Sequence, residues 1–260
     1  MGVFSYPRSW WGRHVGRRKL QWEINYGDSG MKSQVLVVVF VSLAVSCLLF
    51  GVNMSGAQGS GTVTGVVKIQ NIPDAVSVTV DTDQAVCGLE VEDQTTVVDS
   101  SGGVANAVIV VTGAAWTVDP PKPAINNRAC YFEPRVQVAK TRSVATVTSE
   151  DETLHTTHAY DDRARTMFNI ALPIPGLSIE RPLRRPGVVR VECDSHAWMR
   201  GWVYVTDDIA VVSQSDGRFE ISDIQPGTYE LTIWHERFSG ASQTITVEGG
   251  ATTEVDFLLQ

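Results

Sequence analysis

Histidine is scarce in this 260-residue chain, with only His14, His155, His158, His196 and His235 present. Five are too few for several histidine-rich metal clusters. Basic side chains are also outnumbered, 21 Lys and Arg against 29 Asp and Glu, for a formal charge of -8. Residues 1–57 hold six of the basic and two of the acidic groups, so the remainder stands at -12. Such a surface repels phosphate backbones and excludes nucleic acid as a partner. After residue 60 there is no convincing helical stripe, no Gly-rich phosphate loop, no internal repeat and no low-complexity tract. Cysteine is rare too: beyond residue 57 only Cys87, Cys130 and Cys193 occur.

What is present begins with "MKSQVLVVVFVSLAVSCLLFGVNMSGA", in which Lys32 precedes an apolar run from Val35 to Val52 and small residues end at Ala57. Charged, apolar and small residues in that order read as a secretory signal cleaved after Ala57. About 18 apolar residues also just suffice to span a bilayer, so an uncleaved anchor would be the chain's one link to a membrane. Met31 is a natural start, and residues 1–30 are an N-terminal extension or start-site artefact. The expected location is periplasmic, secreted or cell-surface. There, two of three cysteines are expected to pair and one to remain.

From Gly61 onward, short β-branched and aromatic runs such as "TVTGVVKI", "NAVIVVTG", "SVATVTS", "GWVYVTD" and "TYELTIWH" are separated by Gly, Pro, Asp and Asn. Period-two alternation at this spacing predicts an all-β protein built as sandwiches. Two stretches interrupt the pattern. "WTVDPPKPAINNRAC" reads as a loop, and 159–186, with Pro173, Pro175, Pro182 and Pro186, reads as a surface excursion without a central strand. A second unit is expected from 207 to 260, where the turns Asp216-Gly217 and Pro226-Gly227 each precede an alternating run. "DGRFEI…PGTYELTI" resembles the carboxypeptidase regulatory-like, transthyretin-type β-sandwich.

The chemistry concentrates in "CDSHAWMRGWVYV", where Cys193, His196 and Met199 follow one another at intervals of three. A thiolate, an imidazole and a thioether suit a soft or borderline metal such as copper. Each has an ordinary reading by itself: a buried thiol or disulfide partner, a surface histidine, a core methionine. A mononuclear centre of this kind needs a second imidazole, and "LHTTHAY" offers His155 or His158.

At these residues the chain resembles the amicyanin-type cupredoxins, over about 130–206. They share the Cys-x-x-His-x-x-Met loop followed by a basic residue, Gly and a closing strand, and an earlier loop holding a ligand histidine. The resemblance implies a Greek-key β-sandwich over 58–206 and a copper site of His155, Cys193, His196 and Met199, with His158 the alternative ligand. It assigns Cys193 to the metal and so implies a Cys87–Cys130 disulfide. Thr156 stands where the family has Asn after the first histidine. The implied function is single-electron transfer to a redox protein partner, without enzymatic turnover. A copper chaperone or storage module and a metal-free cell-surface interaction module are the competing expectations.

Overall fold

The computed structural model describes residues 59–260; the expected extension at 1–30 and leader at 31–57 lie outside the described residues. The described chain is all-β, interrupted only by one four-residue helix, α1 (Gln84–Cys87). No described helix is long and apolar enough to cross a membrane.

Strand β1 (Gly61–Ile69) buries alternate residues, Val63 and Val67 among them, as its sequence period requires. It pairs antiparallel with β15 (Arg218–Ile224) and parallel with β18 (Thr252–Glu254) and β19 (Phe257–Leu259). Its Gly65 is obligatory, since a Cβ there would collide with the Val255 carbonyl and the Phe219 ring. The opposing sheet has the order β14 (Asp208–Val212), β4 (Val108–Ala115), β16 (Gly227–Trp234), β17 (Ala241–Val247). Val67, Ile109, Val111, Ile221 and Leu231 fill the space between them.

This pairing does not follow the division expected at residue 207. Segment 207–260 closes no sandwich alone: it borrows β1 for one sheet and β4 for the other. A second sandwich is inserted between β4 and β14. One of its sheets runs β10 (Thr166–Leu172), β9 (His155–Tyr160), β12 (Gly187–Glu192), β13 (Arg200–Thr206), β7 (Val136–Lys140). The other runs β11 (Ser178–Pro182), β8 (Val144–Ser149), β5 (Ala124–Arg128), β6 (Tyr131–Glu133). Ile125, Phe132, Val147, Ala159, Leu172 and Val203 lie between these sheets.

Two stretches read as loops are therefore partly strand. The excursion 159–186 contains β10 and β11, and both lie on sheet edges, where proline is tolerated because one row of backbone groups needs no ladder partner. "AINNR" forms β5, parallel to β8.

The two sandwiches share a third apolar layer. Val108, Val110 and Ala210 of the first meet Val136 of the second, with Trp116, Trp202 and Trp234 packed against them. Strand β4 is thus covered on both faces, which accounts for the unbroken apolar run "VIVV". A flap made of β2 (Ser77–Thr79), α1 and β3 (Glu90–Glu92) is pinned to the second sandwich by the Cys87–Cys130 disulfide.

His235, just past β16, is 6% exposed, and its Nδ1 accepts the Arg237 amide. Desolvation pushes its pKa from 6.5 down to about 4; a hydrogen bond to the Ala105 backbone opposes this, and Arg135 adds to it. The unfolded chain therefore takes up this proton near 6.5 and the folded chain only near 4. Stability is fully present above pH 6.5 and declines as pH falls toward 4, by about 3 kcal/mol for this group. Denaturant midpoints measured across that window should show a slope that His235→Phe flattens. An unchanged slope in that variant would assign the acid sensitivity elsewhere.

Candidate metal centre

Alternation along β12 directs Val189, Val191 and then Cys193 into the inserted sandwich, and Cys193 is buried at the strand's end. The following loop closes on itself through Met199 N–H to the His196 carbonyl (3.0 Å) and Cys193 N–H to the Met199 carbonyl (3.3 Å). His155 opens the neighbouring strand β9 instead of sitting in a loop. There it shares the inward face with Thr157 and Ala159.

These placements bring His155, Cys193 and His196 together, with ligand atoms all within 4.8 Å of one another. Cys193 Sγ lies 3.5 Å from His196 Nδ1 and 3.9 Å from His155 Nδ1. The imidazole centroids are 4.7 Å apart, and both rings are fully buried. Met199, also buried, is carried by the same loop.

His158 is not part of this group. Three residues from His155 on a strand is an odd spacing, so it faces the other way. Its Nδ1 meets Asp194 Oδ1 and the Tyr160 hydroxyl, each at 2.9 Å, and its Nε2 meets Thr166 Oγ1 at 2.8 Å.

The outer nitrogens of the two inward imidazoles are both occupied. His155 Nε2–H donates to Asp151 Oδ2 and His196 Nε2–H to Asp83 Oδ2, each at 2.9 Å. A carboxylate on Nε2 selects the tautomer with a lone pair on Nδ1, the atom that faces the thiol sulfur. Burial holds the His155 pKa below its ordinary value, with Asp151 opposing and His196 reinforcing. Asp151 does more than orient a ring: its two oxygens also accept the Ala129 and Cys130 amides, at 2.7 and 2.9 Å. The carboxylate thereby ties His155 to the β5–β6 turn. Asp151, His155 and Cys130 also cluster, but the Cys130 sulfur is committed to the disulfide.

Thr156 braces the cysteine. Its amide donates to Cys193 Sγ at 3.3 Å, its hydroxyl lies 3.8 Å from the same sulfur, and that hydroxyl accepts the Asp194 amide at 2.6 Å. Glu192, next to Cys193, is drawn to Arg190 and Arg200 at 3.2 and 2.9 Å. Asp83 and Asp151 were not expected from the sequence. Asp151 is marked only by lying four residues before His155, and Asp83 is 113 residues from His196 with no local signal.

A family model described as polysaccharide lyase family 4, domain II, matches residues 196–255, in place of the carboxypeptidase regulatory-like family expected there. No curated protein matches the chain. Among solved structures, the chain is similar to a purple cupredoxin from Nitrosopumilus maritimus, with 21% identity over 32% of this chain and 99% of that one, at a TM-score of 0.29. It is similar also to a reduced Cu(I) form of an amicyanin variant, with 16% identity over 38% of this chain and 98% of that one, at 0.29. A second reduced amicyanin variant gives 15% identity over the same shares, at 0.30.

Proposed function

We propose that this chain binds one copper ion through His155, Cys193, His196 and Met199 and carries single electrons. The observation that carries the reading is the convergence of two Nδ1 atoms on one thiol sulfur, with both Nε2 atoms held by carboxylates. Two imidazole Nδ1 atoms and a cysteine sulfur form the donor set that a soft or borderline ion prefers, with Met199 as the weak fourth donor. Copper held there would supply one-electron exchange between Cu(I) and Cu(II).

The chain's own part is to hold the donors still. Thr156 fixes the sulfur, Asp151 and Asp83 fix the rings, and burial excludes water from all three. Preset donors of this kind need little rearrangement between the two charge states. Full burial of both imidazoles argues against rapid hand-off of the metal and for a carrier of electrons, not an enzyme or chaperone. A redox partner protein would meet the flap that bears Asp83, since His196 offers no exposed ring edge. The Cys87–Cys130 disulfide supports an exported location.

Metal analysis after Cu(II) loading should give one copper per chain, with an intense visible thiolate-to-copper band and a reversible potential. Copper bound without that band would leave only storage, and no bound copper would leave a metal-free module.

A further inference from the structure

We infer that the inserted sandwich carries a second site, a cavity of about 580 Å³ that binds a small organic anion. The cavity lies where the β9–β10 turn faces the segment between β11 and β12, at the end of β12 away from Cys193. Val188 lies five residues before Cys193 on an extended strand, about 16 Å away, so the two sites are separate. The inference does not depend on copper.

Five arginines line this cavity: Arg163, Arg165, Arg181, Arg184 and Arg185. Only Arg165 among them is in an ion pair within the described residues, with Asp161 at 2.6 Å. Asp162 is the other acid in the lining, so the cavity holds a positive surplus on a chain whose formal charge is -8. Such a surplus focuses field on an incoming anion, and its self-repulsion is relieved when one binds. Met167, Phe168, Val188 and Val189 supply apolar lining between the charged rims. The volume is in the usual range for small-molecule sites.

Both rims are held in shape by hydrogen bonds to their backbone groups. On one, Asp161 Oδ1 accepts the amides of Arg163 and Arg165 at 3.0 and 2.9 Å, and Asp161 N–H donates to the Arg165 carbonyl at 3.0 Å. The turn is thereby closed beneath Arg163. On the other, Leu183 is fully buried and anchored at both backbone groups, its N–H to Ser143 and its carbonyl from Arg142, at 2.8 and 2.7 Å. Arg181 and Arg185 each precede a proline, which restricts them to extended conformations. Gly187 then enters β12 at a φ of 135°, a value open to glycine and rarely to other residues.

Unpaired guanidinium forks on fixed rims match an oxyanion, carboxylate or phosphate, and the apolar lining matches a hydrocarbon body attached to it. Calorimetric titration of the metal-free protein with naphthyl phosphate, naphthoate, inorganic phosphate and naphthol tests this. One of the two naphthyl anions should saturate a single site, and which binds tighter identifies the oxyanion. Inorganic phosphate and neutral naphthol should each be at least about tenfold weaker. The exposed pair Arg184→Ala and Arg185→Ala should weaken the better anion about tenfold or more with melting unchanged. The proposal is overturned if neither naphthyl anion saturates, if naphthol or inorganic phosphate binds as well, or if the double variant binds like the parent.

Discussion

Cys193→Ser is expected to remove the intense visible band of the Cu(II)-loaded protein completely. Among the converging donors only the Cys193 sulfur can give a thiolate charge-transfer transition, and the other two cysteines of the described chain are joined to each other. His155→Ala should lose the band or the copper, because it removes a buried Nδ1 that lies 3.9 Å from the sulfur. His158→Ala should leave both in place, since that ring faces away and is held by Asp194, Tyr160 and Thr166. Absorption spectra with parallel copper analysis distinguish the three variants. A surviving band in Cys193→Ser ends the copper-thiolate reading, whereas loss of the band in His158→Ala alone would move the ligand to the other face of β9.

The contrast between His155 and His158 shows how far the sequence could be read. Cys193, His196 and Met199 lie within one loop, so their spacing displays them directly. Choosing between two histidines three apart depends on whether the segment is strand or loop, because only a strand puts them on opposite faces. Thr157 and Ala159, buried beside His155, reveal that parity in the structure. Asp83 leaves no such trace: it reaches His196 from a flap positioned by a distant disulfide.

Strand partners were hidden for a related reason. Alternation in "TVTGVVKI" says which face of β1 is buried but not what lies beside it, and its partners come from the last 43 residues of the chain. The continuous run "VIVV" in β4 is the one local hint that two sandwiches enclose a shared strand. Proline in 159–186 correctly argued against a central strand, yet it left edge positions open, and β10 and β11 occupy them.

Glu236→Ala is expected to destabilise the fold by about 3–5 kcal/mol, because it strands a buried guanidinium. Arg135, just before β7, and Glu236, just after β16, join the two sandwiches beside their shared apolar layer. Their side chains are 7% and 4% exposed. Arg135 Nε and Nη2 donate to Glu236 Oε1 at 2.9 and 2.7 Å, and Nη1 donates to the Arg200 carbonyl at 2.8 Å. Removing the carboxylate leaves the first two donors without their acceptor on a side chain that is almost fully buried. The loss should appear as a melting point lower by on the order of ten degrees. Replacing both partners, Arg135→Met with Glu236→Leu, takes away the unpaired charge together with the pair and should recover much of the loss. Urea unfolding of the two variants decides between charge and packing. A double variant no more stable than Glu236→Ala would show that the side chains' shapes, not their charges, hold the sandwiches together, and a loss below about 1 kcal/mol in Glu236→Ala would show that the pair is solvated.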